Sequence, residues 1–386
     1  MTTDQEYFIQ LSRAAIFDEE PPLPLENVDW QYIWDKSREQ NLTGLLASKV
    51  IKLPKDKLPE NIDQWNLSMM QTAMIMGDRF DEFERMIEIL KENEIEPICL
   101  KGIVLKELYG NFALLRTMGD FDVWVEKEKI PKIKEIFISE GYSATDESMG
   151  INVSKGAHFW EIFFTLEEEF RANCQEWDKR FPENTVRTED GILTLNPTYM
   201  MAHMMLHLGK HMVREGSGIR SLLDIALFLR KYREEIDYDF VRKACAEQHF
   251  ENAYVYILNA ANQYFDTDIE VEAVDASRFT EYMLTGGVFG AMNGNVMIHQ
   301  AAKHEDKVGF IRRMFFPTVK MLDYRYTYLK KYPFLLPVAW VHRAFYARSH
   351  YGYSFGQMLK GIKGGAEFAK DRDKWLEELD LYDKEN

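Results

Sequence analysis

Apolar residues recur at three- and four-residue intervals near the amino terminus and again in the second half of the chain, a spacing typical of amphipathic helices. Near the amino terminus, proline residues interrupt the pattern at Pro54 and Pro59. The amino-terminal segments with this spacing are "WQYIWDKSREQNLTGLLASKVI" and "NIDQWNLSMMQTAMIM". Later segments with it are "TYMMAHMMLHLGKHMV", "SLLDIALFLRKY", "YDFVRKACAEQ" and "AYVYILNAANQYF". We therefore predict helical regions over residues 1–76 and 196–386.

Between these regions, over residues 77–195, short apolar runs alternate with helical patterns. The predicted helices are "GDRFDEFERMIEILKENE", which is either a separate helix or a continuation of the preceding one, "IVLKELYG" ending at Gly110, and "KEKIPKIKEIFISEGY" ending at Gly141. The predicted strands are "PICLKG", closed by a glycine turn, "DFDVWVE" and "AHFWEIFFTL". Strands that alternate with helices indicate an α/β sheet. The whole chain is therefore predicted to be an α+β protein, with a mixed-sheet palm flanked by helical regions.

Two aspartates lie in an otherwise apolar strand pattern, at Asp120 and Asp122 in "DFDVWV". Side chains two residues apart in a strand point to the same face, and two neighbouring buried carboxylates are costly unless a positive charge compensates them. A third acid, Glu161, interrupts the apolar strand "HFWEIFF". Carboxylates that converge from adjacent strands form an oxygen site that suits Mg²⁺, which prefers few carboxylates together with substrate phosphates.

This arrangement is most consistent with two-metal phosphoryl or nucleotidyl transfer. We expect Asp120 and Asp122 to hold the metal that carries a triphosphate. With Glu161, they would hold a second metal that lowers the pKa of the acceptor hydroxyl. Gly102 would let the backbone approach the phosphates, and Lys101 would neutralise them.

These motifs resemble a bacterial family of uncharacterised nucleotidyltransferases within the DNA polymerase beta superfamily. The resemblance rests on "CLKGIVLKELYG", "RTMGDFDVWV", "HFWEIFF" and "NPTYMMAHMMLHLGKHMVREGSGIRSLLDIALFL". It implies a nucleotidyltransferase palm followed by a helical domain that closes over the nucleotide. By position, Lys101 and Gly102 match the phosphate-side turn, Asp120 and Asp122 the metal pair, and Glu161 the third acid. The chain departs from the usual pattern after the turn glycine, and at Phe163, where the family often has histidine.

Three histidines recur every four residues, at His203, His207 and His211, and so share one face of a predicted helix. This spacing can chelate zinc, but no acidic or cysteine partner is evident in the sequence. We favour a nucleotide-facing or core role, and we include His207 among the nucleotide-binding residues.

Several cationic residues are candidate contacts of the triphosphate. Lys210, Arg214 and Arg220 lie near the segment "REGSGIR", where they would either stabilise the transferring phosphates or form a solvated surface. Arg116 is predicted to be either a phosphate clamp or an ion-pair partner of the site. For Asp224, we expect a structural role as the partner of Arg220 or of a histidine.

The overall charge bears on the acceptor. The formal net charge of -16 disfavours nonspecific attraction to nucleic acid. Residues 307–363 nevertheless carry 6 Lys and 5 Arg against one acid, which gives +10 and leaves -26 for the remainder. The same segment is rich in aromatic residues. It would suit single-stranded nucleic acid, peripheral contact with a membrane interface, or packing against the acidic remainder of the chain.

The cellular location is predicted from absences in the sequence. The acidic amino-terminal segment lacks the pattern of a signal peptide, and no apolar run is long enough to span a bilayer. Cys99, Cys174 and Cys245 lack a metal-type spacing and fit core packing in a reducing compartment. We therefore expect a cytoplasmic protein, with membrane association as an alternative.

Together, these patterns predict a magnesium-dependent nucleotidyltransferase that moves a nucleoside monophosphate from a nucleoside triphosphate to an unknown hydroxyl or phosphate acceptor. Three alternatives share parts of the pattern. A toxin-like enzyme would modify transfer RNA, a catalytically silent regulator would only bind nucleotide, and an interaction protein would have the acids without a metal.

Overall fold

The computed structural model describes residues 1–147, 149–165, 177, 179–214, 217–285, 316–322, 326–342, 374 and 376–377. The chain divides into two compact units, residues 1–290 and 291–386. Within the basic aromatic segment, only residues 316–322 and 326–342 are described, so most of the prediction for 307–363 lies outside the described residues.

The first unit contains a mixed sheet surrounded by helices. Its described α-helices are α1 Thr3–Phe17, α2 Trp30–Glu39, α3 Thr43–Val50, α4 Ile62–Glu92, α5 Gly102–Leu105, α6 Ile130–Ser139, α7 Pro197–Arg214, α8 Ile219–Tyr232, α9 Tyr238–Glu247, α10 Glu251–Phe265 and α11 Ser277–Thr285. Its described strands are β1 Ile98–Cys99, β2 Phe121–Trp124, β3 Ser143–Glu147, β4 Gly150–Lys155, β5 His158–Phe163, β6 Thr185–Arg187 and β7 Leu193–Leu195.

The helices predicted from periodicity are confirmed on both sides of the sheet. Polar side chains fix several helix starts: Thr2 and Gln5 form a capping box at α1, and the Asp237 carboxylate accepts from the backbone N–H of Phe240 at α9. Helix α4 is continuous over 31 residues, so the predicted boundary at residue 76 lies inside it. The buried thiols of Cys99 and Cys245 each have a pKa raised to about 12 by burial, which fits core packing. Cys174 lies outside the described residues.

The seven strands have the order β3-β4-β5-β2-β1-β7-β6. Strand β2 pairs in parallel with β5, and β1 pairs in parallel with β7, whereas the other neighbours are antiparallel. The two acid-bearing strands, which are far apart in sequence order, are therefore direct neighbours at the centre of the sheet.

Side chains of β2 and β5 alternate between an apolar core and the opposite face of the sheet. Phe121, Val123, Trp160 and Ile162 belong to one buried cluster, to which α4 and α6 also contribute. In that cluster the ring of Trp160 stacks on Phe83 of α4, with 5.2 Å between ring centroids. The residues between these apolar positions, which include the predicted acids, face away from the core.

The structure corrects two details of the predicted elements. The segment "IVLKELYG" is not one helix: α5 ends at Leu105, and 3₁₀ turns follow, with Gly110 at φ +50°, a conformation that interrupts a helix. Strands β3, β4, β6 and β7 were not predicted. β3 is mostly exposed and polar, and β6 and β7 have only three residues each, so their apolar alternation is weak. β4 does alternate, with Ile151 and Val153 buried and Asn152 and Ser154 only partly so, a pattern that predicts a strand.

The second unit is described only in part. It includes α12 Val319–Leu322 and two 3₁₀ turns, Thr327–Lys330 and Pro333–Leu335. A small buried cluster of Leu322, Tyr326, Leu329 and Ala339 joins these pieces. Within the described residues, no helix combines the length and the apolar composition needed to cross a bilayer.

Because adjacent side chains of β5 lie on opposite faces of the sheet, replacing them with alanine should lower the free energy of unfolding by different amounts. Trp160 is fully buried against Phe83 and Phe121, so Trp160→Ala should lower the free energy of unfolding by about 3–5 kcal/mol. Phe159, on the opposite face and only partly buried, is the matched control, and Phe159→Ala should cost less than half as much. Urea unfolding measures both; equal costs would contradict the assignment of the two faces.

Candidate active site

The register of two parallel strands brings the three predicted acids together. Asp122 of β2 is aligned with Glu161 of β5, so both side chains point to the face away from the core. Asp120 precedes Asp122 by two residues and lies on the same face, exposed at the start of the strand. One carboxylate oxygen from each residue lies within 4.8 Å of the others. We refer to Asp120, Asp122 and Glu161 as the acid trio.

A lysine lies next to the buried member of the acid trio. The Nζ atom of Lys101 is 3.5 Å from Oδ2 of Asp122. The pairing of β1 with β2 produces this contact, because the backbone N–H of Leu100 donates to the Asp122 carbonyl at 3.0 Å. The chain turns directly afterwards, and Lys101 has φ +50° and ψ -122°. The predicted phosphate-side turn is therefore adjacent to the acids.

Gly102, the second residue of this turn, permits a close approach. A Cβ atom at this position would lie 2.7 Å from Sδ of Met118 and 3.0 Å from Nη1 of Arg116. Any larger residue would push on the loop that leads into β2. Gly102 therefore lets the turn pack against the residues that precede the acid trio.

All nine residues predicted from the sequence line one cavity of about 310 Å³. In addition to the acid trio, the lining includes Lys101, Gly102, Arg116, His207, Lys210 and Arg220. Helices α7 and α8 supply the last three, so the helical region that follows the sheet forms part of the cavity wall. The side chain of Arg214, which was also a candidate, lies outside the described residues.

Arg116 forms a buried ion pair with Asp224 of α8. Its Nε and Nη2 atoms donate to the two carboxylate oxygens at 2.9 and 2.7 Å, and the Tyr109 hydroxyl donates to Asp224 Oδ1 at 2.8 Å. The carboxylate raises the pKa of Arg116 above its ordinary value despite the opposing effect of burial. Among the residues that the structure describes, none hydrogen-bonds to the remaining buried atom, Nη1. The ion-pair alternative for Arg116 is thus the observed one.

The observed partners of Asp224 correct its predicted pairing with Arg220 or a histidine. Arg116 and Tyr109 approach from the sheet side of the cavity, a contact that depends on folding and that helical spacing alone does not indicate. Arg220 instead donates from Nη1 to the Thr117 carbonyl at 3.1 Å. Burial and the neighbouring charge of Arg116 lower the pKa of Arg220.

The three histidines of α7 have different environments. His203 is fully buried and packs edge-on against Phe181. His207 lines the cavity, and its Nε2 atom is 2.9 Å from Nε2 of His211. The structure thus places His203 in the core and His207 at the cavity. Among the described residues, the acid trio is the group of three or more potential metal ligands that converges.

Helix α4 contributes two residues that the sequence did not indicate. Arg79 donates from Nη1 to the carbonyls of Met118 and Gly119 at 2.7 and 2.6 Å, and Sδ of Met76 lies 3.3 Å from the backbone N of Met118. Both contacts fix the backbone immediately before Asp120. Their spacing of three residues on one helix is a weak signal, since many helix pairs share it.

Comparison with known proteins gives one match. The model of a family described as uncharacterised nucleotidyltransferases matches residues 26–266, more than half of the chain. The matched range includes the sheet, the acid trio and the helices that wall the cavity. No curated protein and no solved structure matches the chain.

The buried ion pair predicts strong coupling between Arg116 and Asp224. Arg116→Met or Asp224→Leu alone should cost about 3–5 kcal/mol of unfolding free energy, because each leaves a buried charge uncompensated. The double variant should recover most of that loss. Denaturant unfolding of all four proteins measures the coupling.

An exposed pair provides the matched control for this cycle. Arg187 and Glu96 also form a short ion pair, at 2.7 Å, but their side chains are 54% and 38% exposed. Glu96→Ala should therefore cost less than about 1 kcal/mol. Additive losses at Arg116 and Asp224 would show that the two residues do not act as a pair.

Proposed function

The chain belongs to the family of uncharacterised nucleotidyltransferases, and from this premise we propose that it transfers a nucleoside monophosphate from a magnesium-bound nucleoside triphosphate to a hydroxyl or phosphate acceptor. The observation that carries the proposal is the acid trio in register on adjacent strands, at one side of a cavity lined by cations. The nucleotidyl group would thus be transferred at the start of β2.

The donor set of the acid trio fits magnesium. Asp120, Asp122 and Glu161 offer hard carboxylate oxygens within 4.8 Å of one another, and Asp120 is exposed to the cavity, which leaves room for substrate oxygens. Magnesium bound there would polarise the transferring phosphoryl group and lower the pKa of the acceptor hydroxyl. We propose a two-metal arrangement, with Glu161 on the acceptor side.

Cations that line the cavity support binding of the triphosphate beside the acid trio. Lys101 and Gly102 form the turn beside β2, while Lys210 and Arg220 approach from α7 and α8. The buried Nη1 of Arg116, which has no hydrogen-bond partner in the described part of the chain, supplies a further donor to the cavity. Fixed positive groups stabilise charge that develops on the phosphates, and their position on two separate elements would orient the nucleotide.

The net charge of the protein bears on the class of acceptor. With a net charge of -16, the protein is not suited to nonspecific binding of nucleic acid, so a toxin-like enzyme that modifies transfer RNA would need a local basic groove at the site. A silent regulator would bind nucleotide without turnover. Labelled triphosphates with magnesium and cell extract separate these cases: a labelled transfer RNA, another labelled product, or binding alone. We place the enzyme in the cytoplasm.

The acid trio predicts loss of transfer without loss of folding. Asp120→Asn and Asp122→Asn should each reduce transfer by on the order of 100-fold or more, while the metal-free protein stays folded because repulsion among the carboxylates decreases. In the wild type, triphosphate with magnesium should raise the melting temperature, and the rise should vanish in Asp122→Asn.

Asp146→Asn is the control for this test. Asp146 is an exposed carboxylate of the same sheet, is paired with Lys134 and lies outside the cavity, so its replacement should leave both transfer and the melting shift unchanged. Unfolding of both trio variants would instead indicate a structural role. A melting shift that persists when magnesium is chelated would contradict metal-dependent binding.

We also propose peripheral membrane contact through the second unit. In its described part, Phe334, Val338 and Val341 are 75%, 57% and 58% exposed, and exposed Lys331 precedes Phe334 by three residues. Exposed apolar residues beside cations suit the interface of an anionic membrane, where each cation contributes on the order of 1 kcal/mol. Such contact would bring the enzyme to a lipid-linked acceptor.

Sedimentation with vesicles that contain anionic lipid tests this contact. We expect the protein to pellet at low salt and to be released at high salt, because the cations provide much of the attraction. Phe334→Ser with Val338→Ser should weaken pelleting at low salt. Protein that stays in the supernatant at low salt would direct the search toward soluble acceptors.

A further inference from the structure

Lys101 forms an ion pair with Asp122, a carboxylate that the proposed function assigns to the metal. Its side chain is 14% exposed and that of Asp122 is 9% exposed, and 3.5 Å separates Nζ from Oδ2. Two further carboxylates, from Asp120 and Glu161, lie within 4.8 Å. In the metal-free protein these negative charges repel one another, and the ammonium group reduces that repulsion.

The backbone of Lys101 adds an independent observation. Its φ of +50° and ψ of -122° are conformations that residues with a side chain rarely adopt. Gly110, nine positions later in the chain, has nearly the same angles, φ +50° and ψ -121°. The chain thus uses glycine for this conformation at one position and lysine at the other. A strained lysine is retained where its side chain contributes something that glycine lacks.

Hydrogen bonds hold this backbone in place. The Lys101 carbonyl accepts from the N–H groups of Val104 and Leu105, at 3.0 and 2.9 Å, and the preceding residue, Leu100, is paired with β2. Movement of the ammonium group must therefore come from rotation of the four-carbon side chain. That flexible stem lets a lysine exchange one anionic partner for another without a change in the backbone.

We propose that Lys101 is the internal counterion of the acid trio in the metal-free protein, and that its ammonium group leaves Asp122 for the triphosphate when magnesium binds. The proposal rests on the proposed function and assigns Lys101 two successive partners. Arg116 is not suited to this exchange, because Asp224 holds it in a bidentate pair. The exchange would couple nucleotide binding to occupancy of the metal site.

Three variants separate the charge from the backbone. Lys101→Met keeps the length of the stem and the strained backbone but removes the charge. Lys101→Gly removes the charge and also relieves the strain. Gly110→Ala introduces a side chain at the matching conformation, and nothing lies within 4 Å of the added Cβ, so it measures the cost of strain alone.

Melting temperatures in chelator, at low ionic strength, give the first readout. Lys101→Met should melt below the wild type, and the difference should shrink in high salt and with saturating magnesium, since either compensates the carboxylates. Lys101→Gly should melt above Lys101→Met, by about the amount that Gly110→Ala loses relative to the wild type.

Binding constants give the second readout. The Lys101→Met change should strengthen binding of magnesium alone and weaken binding of the triphosphate with magnesium. Calorimetric titration with magnesium alone should show binding to Lys101→Met that is tighter by roughly three- to tenfold, because no ammonium group competes for Asp122. Titration with triphosphate and magnesium should show weaker binding than in the wild type. A residue that only contacts phosphate would change the second constant and not the first.

Two results would overturn the proposal. One is a Lys101→Met protein with the metal-free melting temperature and magnesium affinity of the wild type. The other is a melting deficit that persists undiminished in saturating magnesium, which would make Lys101 a structural residue. If the wild type itself binds no magnesium, the proposed function fails as well, so the two failures are distinguishable.

Discussion

Repulsion among three carboxylates is the constraint on which the site depends. Asp122 and Glu161 are side by side because β2 and β5 pair in parallel, and this register is fixed by the apolar residues between them, which fill the core beneath. The sheet cannot relieve the repulsion by shifting one residue, since that would turn the core side chains of β2 toward the cavity. The compensation must therefore come from cations around the acids.

Those cations come from several elements: Lys101 follows β1, Lys210 lies on α7 and Arg220 on α8, so their placement depends on the packing of helices against the sheet. The pair between Arg116 and Asp224 joins the loop before β2 to α8, and Arg79 of α4 also holds this loop. The position of Asp120 is thus fixed by contacts from both the core helix and the helical region. The contacts between the helices and the loop before β2 therefore set both the shape of the cavity and the positions of the charged residues that line it.

The family match and the geometry address different parts of the function. Membership in a nucleotidyltransferase family identifies the reaction class, while the cavity brings together the side chains to which we assign the reaction. Under the proposed function, the acids hold the metals and face the acceptor, while the cations bind the triphosphate. All of these side chains lie within the compact unit of residues 1–290.

Local patterns in the sequence determined the helices on both sides of the sheet, the strands that carry the acids, and the choice of Asp120, Asp122 and Glu161 as candidate metal ligands. Helical and strand periodicities are local properties, so one sequence is sufficient to reveal them. Tertiary structure alone decided the strand order, the short strands with little apolar alternation, and the pairing of Arg116 with Asp224, 108 residues away. It also decided the backbone of Lys101, where hydrogen bonds hold a lysine in a conformation that glycine adopts at Gly110. Contacts between distant residues depend on how complete elements pack, which no local spacing records.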